Sequence, residues 1–156
     1  MIDAGEAAAA ARRALRELHG AGHADVLAAV ATGEAGEPAL VVRLDVPDAS
    51  YYLVPWRDVR GVIVIAQIDA TSGALQSVAV LPRPIDSPVM ASEQALALVE
   101  ETGAQPVGSP ELVWIPSRQS TSPLQPLYRV PVADGERYVA ANGSIHDRLT
   151  LLGKGG

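Results

Sequence analysis

The sequence predicts an α+β fold built from two units, each a helix packed on an antiparallel β-meander. Three observations carry that expectation. Residues 50–81, SYYLVPWRDVRGVIVIAQIDATSGALQSVAVL, hold three strand-like segments in a row. The order helix then strands occurs twice along the chain. Tyr52-Leu53-Val54-Pro55 matches Tyr128-Arg129-Val130-Pro131 at three of four positions, and each copy leads into strand, glycine-bearing turn, strand. The expected boundaries are 1–81 for the first unit, 82–90 for a proline-rich linker, 91–152 for the second unit and 153–156 for a flexible tail.

Within the central stretch, residues 51–56 mix aromatic and β-branched side chains, which suit a pleated, half-buried surface. Pro55 has no N–H to donate, so this strand is expected to be an edge or to end there. Arg57, Asp58, Arg60 and Gly61 form a polar connection. In the next strand Val62, Val64, Ala66 and Ile68 share one face, and Ile63, Ile65 and Gln67 the other. Being apolar on both faces early and on one face later, it reads as a central strand partly covered on its second face. Thr71-Ser72-Gly73 is a turn, residues 75–81 return, and Pro82 and Pro84 are expected to stop the strand.

The remaining elements follow in order. Asp3 and Glu6 have the spacing of a capping box ahead of a helix through residue 18, with Gly20 as its stop. Ala4, Ala8, Ala11, Leu15 and Leu18 are its expected buried face, with Arg12, Arg13, Arg16 and Glu17 solvated. Residues 24–32 suit a short helix or a strand, and the bounding Gly22 and Gly33 favour a strand. Residues 38–46 alternate Leu40, Val42 and Leu44 with Val41, Arg43 and Asp45, a strand pattern, and a turn at Pro47, Asp48 and Ala49 follows. Ser92 is placed as the cap of a helix over 93–102 that Gly103 ends, with Ala95, Leu96 and Val99 as its buried stripe and Leu98 at the stripe's margin. Strands are expected at 111–115, 127–132, 137–141 and 145–152, with tight turns at Asp134-Gly135 and Asn142-Gly143. Residues 116–126, PSRQSTSPLQP, form a long loop, either a recognition loop or a tolerated insertion.

Composition excludes several functions. The 156 residues contain no cysteine, which removes disulfides, thiolate catalysis and cysteine–zinc sites and fits a cytoplasmic setting. A net charge of −6 argues against nucleic-acid binding, which needs clustered Lys and Arg. No apolar run is long enough to span a bilayer, and Asp3 and Glu6 ahead of the alanines do not resemble a secretory signal. No cofactor is expected. His19 and His23 have two glycines between them, so a shared metal is the weaker reading and an exposed helix end the stronger. Ser144, His146 and Asp147 lie almost side by side, whereas a hydrolytic triad converges from separate elements, so a solvated strand end is preferred. The terminal Gly155-Gly156 invites comparison with ubiquitin-like tails, but the body lacks that pattern.

The helix followed by a meander with a D-x-x-[ST]-G turn, here Asp69-Ala70-Thr71-Ser72-Gly73, resembles tandem PepSY-like, cystatin-like units over nearly the whole chain. In the second copy Ala140 stands where the turn Asp would be. The resemblance implies a non-enzymatic module that binds a protein or peptide, a peptidase regulator or inhibitor among bacterial proteins, with no catalytic residues to carry over. Two segments are the expected contact: Tyr51, Tyr52, Trp56 and Arg57 in the first unit, and Trp114, Ser117, Arg118, Gln119 and Ser120 in the second. Core packing of Trp56, Trp114, Tyr51, Tyr52, Tyr128 and Tyr138 competes with that reading. The alternatives are a small cystatin-like or NTF2-like enzyme using His146 or Asp69 in a helix–sheet pocket, and an oligomeric structural protein joined through open sheet edges.

Overall fold

A computed structural model describes residues 1–18 and 24–153. Among these the chain is α+β, with three helices and nine strands. In order they are α1 (Ala4–Arg16), α2 (Ala24–Thr32), β1 (Glu34–Ala35), β2 (Ala39–Arg43), β3 (Ser50–Asp58), β4 (Gly61–Asp69), β5 (Leu75–Ile85), α3 (Ser92–Glu101), β6 (Glu111–Trp114), β7 (Leu127–Val132), β8 (Gly135–Val139) and β9 (Ile145–His146). The chain divides into two compact units, Met1–Leu40 with Ala49–Pro88 and Val41–Asp48 with Val89–Gly156.

In the first unit β4 lies between β3 and β5, all antiparallel, and β1 pairs with β3 through Glu34↔Arg57 and Ala35↔Trp56. The capping box forms as the spacing predicts: Asp3 Oδ1 accepts from Glu6 N at 2.8 Å, and Glu6 Oε2 accepts from Asp3 N at 2.8 Å. The helix face is rotated from the expected one, since Ala7, Ala10, Ala11 and Leu15 are buried while Ala4, Ala8 and Leu18 are half-buried. A run of near-identical alanines carries no periodicity from which to read its phase. These small side chains let α1 pack closely over Tyr52, Val54, Trp56, Val64, Ala66 and Ile68. Residues 24–32 are helix α2, not a strand. Val26 and Val30, four apart, reach the same core while Ala28 between them is exposed, as helical spacing requires; a period-two strand would put all three on one face.

Pro55 neither ends β3 nor puts it at an edge, because β3 continues to Asp58 and pairs with β4 throughout. The proline acts on the other side. Its carbonyl accepts from Gly36 N at 2.8 Å, it has no N–H to return, and the β1 ladder stops there. Pro82 and Pro84 do not stop β5, which runs to Ile85. β5 is the terminal strand of its sheet, and prolines are tolerated on an edge. Strand β4 is buried on both faces up to Ile68. Gln67, expected on a partly covered face, is satisfied inside: its Nε2 donates to Gln76 Oε1 at 2.9 Å and its Oε1 accepts from Ser77 Oγ at 2.7 Å.

In the second unit β6, β7, β8 and β9 form an antiparallel series, and Val42 and Arg43 of β2 pair in parallel with Val113 and Trp114 of β6. The inward residue of β2 is Val41, fully buried, rather than Leu40. Helix α3 covers Tyr128, Val130, Val132 and Val139 through Ala95 and Val99. Ser92 is its first residue, not its cap. Ala91 holds the cap position and makes no side-chain hydrogen bond. The strand expected over 145–152 is only Ile145–His146, followed by a single bridge between Ser117 and Leu151. No helix among the described residues is long and apolar enough to cross a membrane.

The two units use the same local supports. Tyr52 Oη donates to Ile2 O at 3.1 Å, and Tyr128 Oη donates to Met90 O at 2.8 Å. Ile2 and Met90 each immediately precede the cap of the helix lying on that strand, so each tyrosine fixes a helix start. Pro55 O accepts from Gly36 N, and Pro131 O accepts from Val107 N at 2.9 Å. A glycine lies against each proline ring: a Cβ on Gly36 would come within 3.1 Å of Pro55 Cγ, and one on Gly108 within 2.7 Å of Pro131 Cγ. The turns also correspond. Gly73 N donates to Asp69 O and Gly143 N donates to Ala140 O, both at 2.9 Å. Where Asp69 Oδ1 accepts from Thr71 N and Ser72 N, Asn142 Oδ1 accepts from Ser144 N at 2.9 Å. Ala140 thus leaves no gap, because Asn142 supplies the acceptor from two residues further on.

Candidate functional site

The residues expected to carry contact separate into buried and accessible groups. Tyr51, Tyr52 and Trp56 are buried in the first unit, the last at 1% exposure. Arg57 beside them is exposed and donates to the carbonyl of Asp86. In the second unit Trp114 is buried, with the Arg43 guanidinium 5.5 Å from its ring centroid. The indole N–H groups of Trp56 and Trp114 are buried without a hydrogen-bond partner among the described residues, at a cost of about 1–3 kcal/mol each. These aromatic side chains are therefore framework. His19, His23, Gly20 and the terminal Gly155-Gly156 lie outside the described residues.

The loop 116–126 is built from its own side chains. Ser117 and Ser120 are buried. Ser120 N donates to Ser117 Oγ at 3.1 Å, and Ser120 Oγ reaches Gln125 O at 2.5 Å and Ser122 O at 3.1 Å. Hydroxyls bonding to nearby backbone replace the ladder that a proline-rich segment cannot form. The loop is also strapped to residues 150–152. Arg118 N donates to Thr150 O at 2.9 Å, Leu152 N to Pro116 O at 3.2 Å and Thr150 N to Gln119 Oε1 at 2.9 Å. Ser117 and Ser120 thus shape the loop, while Arg118 is exposed and Gln119 half-buried at its surface.

Beside this loop lie two clefts that share Gln119 and His146. One, of about 450 Å³, is lined by Arg118, Gln119, Gln125, Asn142, Ser144 and His146 together with two alanines. The other, of about 430 Å³, adds Arg137, Asp147, Arg148 and Thr150. In the second unit Arg43, Arg129 and Arg137 are ion-paired with Asp45, Glu111 and Asp134. Arg118 and Arg148 form no ion pair among the described residues, and both line these clefts. Gln125 falls within the loop expected to carry contact, whereas Asn142 and Arg148 lie outside both expected segments. Asn142 is legible only as a hairpin residue, and nothing in the sequence places Gln125 against it.

Ser144 Oγ lies 3.0 Å from His146 Nε2. In a nucleophilic pair the hydroxyl proton passes to the imidazole. Here the Ser144 hydroxyl donates to Asn142 Oδ1 at 2.7 Å, so His146 Nε2 is the donor towards Ser144 Oγ. No carboxylate among the described residues hydrogen-bonds the other ring nitrogen, and Asp147 is exposed. The contact braces the hairpin. Asp69, the other residue of the enzymatic reading, spends Oδ1 on Thr71 N, Ser72 N and Ser72 Oγ in its turn. No group of three or more His, Asp or Glu able to hold a metal occurs among the described residues.

Comparison with protein-family models, with curated proteins and with solved structures finds no match to this chain.

Proposed function

We propose that this chain is a non-enzymatic module that binds a peptide or protein through the second unit, on the surface made by loop 116–126 and the hairpin at 142–146. The observation that carries the reading is the presentation of Arg118. Its backbone is held by Thr150, its side chain is exposed and without an ion pair among the described residues, and it borders a cleft lined by amide and hydroxyl groups. A braced loop that displays uncommitted polar groups loses little entropy on binding, as recognition requires. The Tyr-to-helix bonds and paired turns support reading the chain as a duplicated, cystatin-like or PepSY-like pair, and that resemblance favours a peptidase or its substrate as partner.

The competing surface is the outer edge of β5, the route to a strand-paired oligomer. Val80 and Ile85 are exposed there. Pro82 and Pro84 remove two donors from the strand, which blunts it as a template.

A peptide-display selection against the immobilised whole chain tests the proposal. Enriched peptides should lose binding to variants carrying Arg118→Ala or Gln125→Ala, both exposed positions that leave the core intact. Failure to enrich any peptide, or enriched peptides that bind both variants as well as the parent, would overturn it.

A further inference from the structure

We infer that the cleft between loop 116–126 and the 142–146 hairpin takes a carboxylate carried by a peptide, either an acidic side chain or a free C-terminus, with Arg118 as its main partner. This rests on the binding-module reading and specifies the chemistry of its ligand. The argument is a count of donors and acceptors. Asn142 Oδ1 is spent on Ser144 N and Ser144 Oγ. Gln119 Oε1 is spent on Thr150 N, and Ser120 Oγ on two loop carbonyls. The side-chain acceptors of Asn142, Gln119 and Ser120 are thus consumed within the fold, and Gln125 Oε1 is the one amide oxygen of the lining left unbonded among the described residues. The donors left over are the Arg118 guanidinium, Asn142 Nδ2 and Gln125 Nε2, none of which is bonded among the described residues, and they outnumber that one acceptor. Gln119 Nε2 makes only a long contact, 3.4 Å, to Thr150 Oγ1.

Charge agrees with this count. The cleft that holds Arg118 is lined by no carboxylate, in a chain of net charge −6. The adjoining cleft is lined by Arg148 and Asp147 and by Arg137, whose charge Asp134 already offsets. A surplus of donors around an unpaired guanidinium is complementary to a planar anion with two acceptor oxygens, which an arginine fork meets in bidentate fashion. The exposed setting makes the attraction sensitive to salt.

The test uses the whole ¹⁵N-labelled chain and three capped tripeptides: Ac-Ala-Glu-Ala-NH₂, its uncharged counterpart Ac-Ala-Gln-Ala-NH₂, and Ac-Ala-Ala-Ala with a free carboxyl terminus. Saturable amide shifts at Arg118, Gln119, Asn142 and His146 are expected with the Glu peptide, the free-carboxyl peptide or both, and the arm that responds identifies the source of the carboxylate. The Gln peptide should leave them unmoved. Arg118→Ala should weaken binding about tenfold, and Arg118→Lys should restore only part of it. Equal shifts from the Gln peptide, no saturable shift from either charged peptide, or undiminished binding by Arg118→Ala would overturn the inference. If it fails while display-selected peptides still depend on Arg118 or Gln125, the module stands with an uncharged ligand. If the charged tripeptides bind while no peptide is selected, the carboxylate site stands and the peptide module does not.

Discussion

The hairpin of β3 and β4 and the hairpin of β7 and β8 are held by the same devices and put to different use. Each has a tyrosine bonded to the residue ahead of a helix cap, a proline whose carbonyl takes an incoming N–H, and a glycine against that proline. In the first unit the strands are nine residues long, β4 is buried on both faces, and even Gln67 is satisfied internally. In the second unit the strands are six and five residues, and the turn that follows, between β8 and β9, carries Asn142 and Ser144 to a cleft that His146 of β9 also lines. Shared supports therefore do not imply a shared role. The longer hairpin is committed to the core, while the shorter one leads into the β8–β9 turn that borders the cleft.

Core substitutions should separate the two most strongly. Ile68→Ala removes a fully buried side chain opposite Tyr52, and its cost is expected at about 3 kcal/mol by urea denaturation. Val139→Ala, opposite Tyr128, removes a smaller group and should cost about 2 kcal/mol. Equal or reversed costs would show that the longer hairpin is not the better packed.

Next come the glycines under the prolines. Gly108→Ala meets Pro131 at 2.7 Å and should destabilise by about 1–3 kcal/mol, whereas Gly36→Ala meets Pro55 at 3.1 Å and should cost less. A neutral Gly108→Ala in the same assay would remove close approach as a shared device. Tyr128→Phe and Tyr52→Phe each delete one hydroxyl bond and should each cost about 1 kcal/mol. A clear loss for one and none for the other would break the correspondence of the helix starts.

The turns differ least in energy but differ in pH response. Asp69 is held below the ordinary carboxylate range chiefly by the Ser72 backbone N–H, with the Thr71 N–H and the Ser72 hydroxyl adding and desolvation opposing. A carboxylate whose folded pKa lies below its unfolded one stabilises the fold above the unfolded value, about 3.9, and that stability is lost as pH falls through the folded value. Asn142 carries no such charge. Asp69→Asn should therefore flatten the acid limb of a stability–pH curve, and a limb of unchanged slope would show that Asp69 does not supply it.

Much of this comparison was legible in the residues. The Tyr-x-Val-Pro match, the capping box and the Asn142-Gly143 turn each encode local geometry, and each occurs at the place expected. Helix α2 is ambiguous in the sequence because two bounding glycines with Val26, Leu27 and Val30 fit either period, and the exposed Ala28 between buried Val26 and Val30 is what separates helix from strand. β5 was cut short because proline is a strand stop only where its missing N–H would be needed, and edge position is not visible locally. The cleft was invisible for a stronger reason. It joins residues 118–125 to 142–148, brought together by side chain-to-backbone bonds in a loop with no periodicity. Arg118, Gln119 and Gln125 are within reach of sequence reasoning as loop residues, whereas Asn142 and Arg148, far along the chain, are not.

The most direct test of the binding surface is a map of backbone amide shifts on the whole chain when the tightest display-selected peptide is added. Shifts concentrated at Arg118, Gln119, Gln125 and residues 142–148 are the predicted result. Shifts concentrated along β5, with those residues unmoved, would contradict it and move the binding surface to the open edge of the first unit.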